Sequence, residues 1–348
     1  MSISMLRVST AGILTLLLAF WGCRGGESAD RSPSNSEPAI PDIAYVTNGI
    51  AGFWTIAQAG ALDGGKDFKV KVDVRMPAEG AIDQKRILED LLARGVDGIA
   101  ISPIDPDNQK DLINESSRHT NLITHDSDAP ETDRLCYVGM DNYQAGRLVG
   151  QLVKEALPDG GSIMLFVGRL EQLNAQQRRQ GVIDEVLGRS NQSGGPIDLP
   201  NQVLEGNNYT VLDTRTDQFD RSKAKANAED AIARFPQLGC MVGLFEYNPP
   251  ACLLAIKEAG SKNIKLVAFD EAEETLQGIL DGSVHGTVVQ QPYLYGYESM
   301  RILAGLSRGD RSVLPENGVL HIPAQMIRKN NVEAFWTDLK QKLARGSP

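Results

Sequence analysis

The chain has 348 residues, more than one ordinary domain needs and enough for two, since compact domains usually hold roughly 100–200 residues. Apolar residues make up 41% and charged residues 23% of the chain, as in globular proteins, which excludes a largely disordered protein. The formal net charge is −10, and an acidic chain without a long basic run is poorly suited to bind nucleic acid. Four Cys and four His are too few and too scattered for a zinc ribbon or a disulfide scaffold.

The first 22 residues have the features of an export signal. Arg7 is the one charged side chain among them, and an apolar run from Ala11 to Trp21 follows it. This run is shorter than the about 20 apolar residues of a spanning helix and is typical of a secretory signal peptide. Gly22 before Cys23 resembles the cleavage site of bacterial lipoproteins, where the Cys is lipidated. We predict a signal peptide over 1–22 and a lipid anchor on Cys23, with plain secretion or a signal anchor as the alternative.

Residues 24–41 read RGGESADRSPSNSEPAIP and lack any apolar periodicity. Such a Ser-, Pro- and Gly-rich segment cannot bury enough apolar surface to order itself. We therefore interpret residues 23–41 as a flexible tether between the anchor and the folded body. The three remaining cysteines, Cys136, Cys240 and Cys252, lie in or beside apolar runs. Because an odd number cannot pair completely, we predict buried free thiols.

From Pro41 onward, short apolar runs typical of strands alternate with helical periodicities. Strand-like runs begin at Ile43, Val70, Gly98 and Leu122 and continue over 163–167, 211–214, 241–245, 265–269 and 286–290. The intervening segments include the helical patterns 82–94, 145–157, 175–187, 222–234, 249–259 and 294–304. This alternation predicts an α/β protein with parallel sheets covered by helices. About ten strand–helix units are more than one doubly wound sheet usually holds, so we predict two lobes. The chain would first cross from one lobe to the other at Asp141-Asn142.

Ligands of such folds bind at the carboxyl ends of the strands, and polar or aromatic residues follow several of them here. Asn48, Phe53 and Trp54 come after the first strand. Aromatic faces pack well against the C–H faces of sugar rings, and we expect one of the two rings to enter the core instead. The segment 188–208 joins a helix to a strand at the opposite edge of the sheet, so we give it no role in the site.

Asp126 and Asp128 follow the fourth strand, where each carboxylate would accept two hydroxyl protons in charge-assisted hydrogen bonds. Calcium binding and loop capping are the alternatives. His125 precedes Asp126, but adjacent residues of a strand point to opposite faces, which argues against a working dyad.

Candidate ligand contacts in the second half of the chain also follow strands. Arg178 would balance the carboxylates and donate to sugar oxygens, whereas we expect Arg179 to lie on a solvated helix face. Asn248 and Asp270 have helix capping as their alternative role. The full set proposed for the second half is Arg178, Phe219, Tyr247, Asn248, Asp270 and Gln290.

No G-x-G-x-x-G, phosphate-loop lysine or G-x-S-x-G occurs in the sequence, and the His residues lack metal-ligand spacing. We therefore predict neither cofactor nor metal and no enzymatic activity. A sugar hydrolase stays open as a minor alternative, since Asp126 and Asp270 could flank a scissile bond.

Several short motifs resemble those of a known family, and they occur in that family's order. The body from Ile43 to about Ile327 is similar to the periplasmic sugar-binding proteins of the ribose-binding type, which share their fold with the ligand domains of LacI-like repressors. The motifs are Phe53-Trp54, Thr124-His125-Asp126, Gly139-Met140-Asp141-Asn142, Arg178 before Gly181, Phe219-Asp220-Arg221, Val267-Ala268-Phe269-Asp270 and Val289-Gln290-Gln291-Pro292.

The resemblance implies a type I periplasmic binding protein fold, with a cleft between two lobes and a multi-strand hinge. The lobes would comprise 42–140 plus 291–318 and 141–290 plus 319–348. It also implies that Phe53, Trp54, Asp126, Arg178, Phe219, Asp270 and Gln290 contact a sugar. Ser127 and Tyr247-Asn248 depart from the family's usual Arg and Asn-Asp, so a hexose, a pentose or a polyol is equally open.

As implied by the resemblance, the protein would be an exported monomer that closes on a sugar and delivers it to the permease of an ABC transporter. Docking on a membrane sensor is the alternative role. A transcriptional regulator with the same lobes would need a helix-turn-helix at its N-terminus, where residues 1–41 instead hold a signal and a tether.

Overall fold

The structure is a computed structural model that describes residues 39–190 and 193–346, so the predicted signal peptide, Cys23 and most of the tether lie outside the described residues. From Ile40 onward the chain forms one compact unit. The strands are β1 Asp42–Val46, β2 Lys71–Arg75, β3 Gly98–Ile101, β4 Asn121–His125, β5 Tyr137–Gly139, β6 Gly161–Val167, β7 Leu204–Gly206, β8 Tyr209–Thr216, β9 Leu238–Gly243, β10 Lys265–Phe269, β11 Gly286–Val289, β12 Val319–His321 and β13 Gln325–Ile327.

The helices alternate with these strands along most of the chain. They are α1 Gly52–Asp67, α2 Ala81–Arg94, α3 Lys110–His119, α4 Asn142–Ala156, α5 Leu173–Val186, α6 Arg221–Arg234, α7 Asn248–Glu258, α8 Glu273–Asp281, α9 Pro292–Ser307 and α10 Val332–Gly346, with a short 3-10 helix at Arg311–Val313.

Two sheets form the frame. The first has the order β12-β5-β4-β3-β1-β2 with every strand parallel, and the second has the order β13-β11-β10-β9-β6-β8-β7 with antiparallel partners only at its two edges. In each sheet the strand order reverses beside the first strand of that lobe, β1 or β6, which is the doubly wound arrangement. The predicted fold class, an α/β protein with two doubly wound sheets, is confirmed.

Within the described residues the chain passes between the sheets three times: after β5, after β11 and between β12 and β13. Asp141 caps α4 at the first passage by accepting a hydrogen bond from Gln144 N at 3.0 Å. The lobe boundary at residue 318 was wrong, because β12 pairs in parallel with β5 and therefore belongs to the first sheet. A three-residue edge strand is too short for its apolar pattern to reveal its sheet.

The C-terminal helix α10 follows β13 of the second sheet but packs on α1 as well as on α8. Arg345 lies 3.6 Å from Asp63 of α1, and the Lys342 ammonium stands 5.2 Å from the ring centre of Tyr293 on α9. The assignment of this segment to the second lobe alone was therefore incomplete, since its apolar face is shared between both lobes.

The three cysteines of the body are buried and unpaired, as predicted, and burial raises the pKa of each thiol. None of the helices in the described ranges combines the length and the apolar character needed to cross a bilayer.

Close contact between α4 and α5 fixes the position of a candidate site residue. A Cβ atom added at Gly146 would lie 2.0 Å from the carbonyl oxygen of Arg178, and one added at Gly181 would lie 2.1 Å from that of Tyr143. The two helices therefore meet backbone to backbone, which sets the depth at which Arg178 enters the lobe.

We expect Gly146→Ala to lower the free energy of unfolding by about 1–3 kcal/mol, because the added methyl group forces α5 away from α4. Chemical denaturation measures this change. Gly52→Ala is the control, since a Cβ there meets no atom within 4 Å, and its stability should stay within about 0.5 kcal/mol of the parent. Equal stability of the two variants would contradict this account of the helix contact.

Candidate functional site

The first lobe presents a polar cluster where β1, β3 and β4 end. The Asn48 amide donates to Ser102 Oγ at 3.1 Å and to Asp126 Oδ2 at 3.5 Å, and Ser102 Oγ donates to the same Oδ2 at 3.2 Å. Asp126 has a left-handed backbone, with φ of 57°, and its carbonyl accepts a hydrogen bond from Tyr137 at 2.9 Å. The sequence analysis missed Ser102, although its place after a buried strand was a usable signal.

His125 belongs to the interior of the first lobe. Its Nδ1 lies 3.0 Å from the Tyr45 hydroxyl and its Nε2 lies 3.1 Å from the Val46 carbonyl oxygen. The carbonyl can only accept, so Nε2 carries the proton and Nδ1 accepts from Tyr45. Burial lowers the pKa of His125 to about 3, and the ring stays neutral. Both ring nitrogens are thus engaged away from Asp126.

The second lobe contributes the Arg178 guanidinium, which is only 2% exposed. Its Nη1 donates to the Leu244 carbonyl at 2.6 Å, its Nη2 donates to Asn142 Oδ1 at 2.9 Å, and its central carbon stands 3.7 Å from the ring centre of Phe269. The Nε–H is buried and has no hydrogen-bond partner among the described residues. An unpaired buried donor is unfavourable, so this atom points to an acceptor supplied from outside the chain.

Asp270 follows β10, again with a left-handed backbone, at φ of 62°. Its Oδ1 accepts from Gln290 Nε2 at 3.1 Å, and Gln290 Oε1 accepts from the Tyr295 hydroxyl at 3.3 Å. Ala272, not Asp270, is the N-cap of α8, so the capping role considered for Asp270 does not apply. Gln290 instead orients this carboxylate.

Arg178 acts electrostatically on carboxyl groups of both lobes. Burial raises the pKa of Asp126 to about 6 and that of Asp270 to about 7, and the charge of Arg178 opposes both shifts. Conversely, burial lowers the pKa of Arg178 while the two carboxylates oppose that change. We call Arg178, Asp126 and Asp270, which influence one another's pKa, the charge group.

Aromatic side chains lie near this charge group on both sides. Trp54 is 5% exposed and enters the core, whereas its neighbour Phe53 keeps accessible surface and contacts Tyr295 with ring centres 6.3 Å apart. In the second lobe Phe219 is 41% exposed, and its ring centre lies 5.7 Å from that of Phe245. An exposed ring at a strand end is available for contact with a ligand.

Tyr247 and Asn248 converge on a residue that the sequence analysis missed, Asp217. Asn248 donates from Nδ2 to Asp217 Oδ2 at 2.8 Å, and the Tyr247 hydroxyl donates to Oδ1 of the same carboxylate. The Asn248 Oδ1 accepts from Phe245 N at 3.1 Å. Asn248 is the first residue of α7, and its side chain makes no capping hydrogen bond to that helix. Its amide organises the preceding loop instead.

Asp128 does not belong to the charge group of Arg178, Asp126 and Asp270. Its carboxylate accepts from Arg134 Nη2 at 2.7 Å, from Thr124 Oγ1 at 2.7 Å and from Ala129 N at 2.8 Å. These contacts match the loop-capping alternative, and we leave Asp128 out of the ligand set proposed below.

The expectation of a solvated Arg179 was wrong, because this residue is 1% exposed. Its guanidinium donates to Thr214 Oγ1 at 2.7 Å, to the Asp198 carbonyl at 2.7 Å and to the Leu199 carbonyl at 3.0 Å. The backbone of Asp198 and Leu199 thus covers this face of α5. Helical periodicity cannot reveal a loop that folds back over a polar face.

Comparison with known proteins agrees with this arrangement. The sequence profile of a family described as periplasmic binding protein domain matches residues 43–311. The chain belongs to this family. The resemblance stated from the motifs is thereby confirmed.

Two curated relatives and one solved structure illustrate the similarity. The ribose import binding protein RbsB of Haemophilus influenzae is 23% identical over 212 residues, which cover 60% of this chain and 65% of the relative, slightly under two thirds of its length. A xylitol-binding protein of Mycolicibacterium smegmatis is 24% identical over 94% of this chain and 86% of the relative. A solute-binding protein from Burkholderia graminis, solved with D-arabinose, is 23% identical with a TM-score of 0.73, covering 84% of this chain and 96% of that one.

We expect Asp270→Asn to change how stability depends on pH. A carboxyl whose pKa is raised on folding stabilises the protein below its unfolded pKa near 4, and this contribution is lost as the pH rises through about 7. The variant lacks this titration. The free energy of unfolding of the variant, relative to that of the parent, should therefore rise by on the order of 3 kcal/mol between pH 4 and pH 8, as measured by urea denaturation.

The control for this measurement is Asp310→Asn, which changes an exposed aspartate on the first lobe. The pKa of Asp310 is lowered by its bonds to Ser312, so any change should have the opposite sign. A parent and an Asp270→Asn protein with parallel pH profiles would contradict the assignment.

Proposed function

We propose that the protein binds a neutral monosaccharide or polyol outside the cytoplasm and delivers it to the permease of an ABC transporter. The observation that carries this proposal is Arg178: its buried Nε–H has no hydrogen-bond partner in the part of the chain that the structure describes, and its charge acts on carboxyls of opposite lobes. A polyhydroxy ligand fits this group because each of its hydroxyls both donates and accepts.

The hydrogen bonds already made within the protein leave room for such a ligand. Asp126 and Asp270 each use one carboxylate oxygen for protein donors, and among the described residues the second oxygen of each has no donor. Hydroxyl protons of the ligand would fill these positions as charge-assisted bonds, and one ligand oxygen would accept from Arg178. The rings of Phe53 and Phe219 would pack against its C–H faces.

Closure of the lobes about the three connecting segments is the proposed binding step. In a closed cleft water is excluded, which strengthens each hydrogen bond to the ligand. A permease would then distinguish the closed, loaded protein from the open, empty one. The names of relatives support a sugar ligand: one is a ribose import binding protein and another a xylitol-binding protein. We propose binding without catalysis, in keeping with the family to which the chain belongs.

The N-terminal segment supports an exported, membrane-tethered protein. We propose that residues 1–22 are removed, that Cys23 becomes lipidated, and that residues 24–41 link the anchor to the lobes. The protein would act as a monomer, since one chain supplies both walls of the cleft.

The binding proposal is tested with residues 24–348 and eight compounds: D-ribose, D-allose, D-xylose, D-arabinose, D-glucose, D-galactose, xylitol and myo-inositol. At least one should stabilise the protein, by about 2.7 kcal/mol at a hundredfold excess over its dissociation constant. Binding should favour the ionised carboxylates, so affinity should rise between pH 5 and pH 8, with proton release seen by calorimetry in buffers of different ionisation enthalpy.

Arg178→Met should abolish the stabilisation, because it removes the central cation. Arg118→Met is the matched control, since Arg118 lies on the exposed side of α3 and should leave binding unchanged. If none of the eight compounds stabilises the parent protein, the proposal is wrong.

The anchor is tested by Cys23→Ser in the full chain, expressed in a bacterial host with labelled palmitate. The parent should incorporate the label and sediment with membranes, whereas Cys23→Ser should do neither because the acylated thiol is missing. Cys136→Ala, at a buried thiol of the body, should keep the label. An unlabelled parent protein would refute lipidation and leave plain secretion.

A further inference from the structure

One buried carboxylate organises the second-lobe wall of the cleft. Asp217, which directly follows β8 and is 1% exposed, accepts three hydrogen bonds: from Phe219 N at 2.9 Å, from Asn248 Nδ2 at 2.8 Å and from the Tyr247 hydroxyl. The first of these bonds helps to hold Phe219 in its left-handed conformation, at φ of 64°. Asp217 therefore fixes the positions of three residues at once without reaching the surface.

This arrangement determines the hydrogen-bonding polarity of Tyr247. A phenol has a single proton, and here that proton is donated to Asp217. Burial and the nearby Asp217 both hold the pKa of Tyr247 well above its usual range, so the hydroxyl stays protonated. Toward any other group, the Tyr247 oxygen can act only as an acceptor.

Two rings and the backbone of Gly168 lie on one side of the Tyr247 hydroxyl, and the Arg221 guanidinium stands 5.6 Å from the centre of the Tyr247 ring. A Cβ atom added at Gly168 would lie 3.0 Å from the Tyr247 oxygen and 2.7 Å from the Phe219 ring. Both rings therefore pack directly against the backbone of Gly168. Phe219 and Tyr247 have ring centres 6.4 Å apart. The amide of Asn248 donates to Asp217 Oδ2 and accepts from Phe245 N. This wall thus offers two aromatic rings, one phenol acceptor, and the guanidiniums of Arg169 and Arg221 beside the rings.

We infer that Tyr247, positioned by Asp217, determines specificity: it selects a ligand that presents a hydroxyl proton at this wall and rejects one that presents only acceptors, such as the carboxylate of a sugar acid. The inference rests on the proposed binding of a neutral sugar or polyol and adds the residue that recognises one of its hydroxyls.

The test compares the parent protein with Tyr247→Phe by calorimetry. The probes are the eight neutral compounds used above, the acids D-glucuronate and D-galacturonate, and the singly deoxygenated analogues of whichever neutral compound binds the parent most tightly. The parent should bind that compound and neither acid. Tyr247→Phe should bind it about 3- to 10-fold more weakly, since one hydrogen bond to the ligand is lost.

The deoxygenated analogues separate a direct contact from a merely structural role. One analogue, lacking the hydroxyl that donates to Tyr247, should bind the parent and Tyr247→Phe equally, whereas the other analogues should keep the 3- to 10-fold difference. A structural role would weaken all analogues alike. Tyr297→Phe is the matched control, because Tyr297 also donates its hydroxyl to an aspartate, Asp67 at 3.0 Å, but lies on α9 away from the strand ends. It should change no affinity.

Asp217→Asn gives a second, independent readout. An amide of the same size can donate to the Tyr247 oxygen, which frees the phenol proton to face the cleft. Discrimination against D-glucuronate relative to D-glucose, or against D-galacturonate relative to D-galactose, should then fall by at least 3-fold.

The outcomes distinguish this inference from the function on which it rests. If the parent binds none of the neutral compounds, the sugar-binding function itself fails. If the parent binds a neutral compound but Tyr247→Phe binds it and every analogue as tightly, only the role of Tyr247 is refuted. Tight binding of a sugar acid by the parent would also refute it.

Discussion

The site depends on keeping one guanidinium charged inside the protein. Removing Arg178 from water is unfavourable by several kcal/mol unless other groups compensate. Here a backbone carbonyl, an amide, the face of Phe269 and two carboxyls do so. The dependence is mutual, because burial raises the pKa of both carboxyls, and the charge of Arg178 opposes that rise together with hydrogen bonds from Ser102 to Asp126 and from Gln290 to Asp270. A neutral side chain at position 178 would raise the pKa of both aspartates further.

The backbone that carries the site is strained at corresponding places in the two lobes. Asp126, Phe219 and Asp270 each have φ between 57° and 64°, a conformation that residues other than glycine seldom adopt. Each directly or closely follows a strand, and hydrogen bonds from neighbouring residues hold each one in place. Because of the left-handed turn, the side chain does not follow the up-and-down alternation of the preceding strand. Strain of this kind persists where the surrounding structure over-determines it, and it is concentrated at functional sites.

Much of this arrangement followed from the sequence through one rule, that the carboxyl ends of parallel strands share an edge. That rule was enough to nominate Asn48, Asp126 and Asp270 from the strand pattern alone. It did not find Asp217, whose neighbours in the chain give no sign that it meets Tyr247, thirty positions further on. Nor did it predict the burial of Arg179, because side-chain periodicity describes a helix by itself and not the loop that covers it. Local patterns thus located strand ends, whereas contacts between loops required the fold.

The two parts of the site have different consequences for ligand choice. The group around Arg178 suits any molecule whose hydroxyls donate and accept, so it contributes affinity without distinguishing one sugar from another. The wall around Asp217 does distinguish, because a phenol oxygen that can only accept leaves an opposing acceptor unpaired, which is unfavourable in a closed cleft.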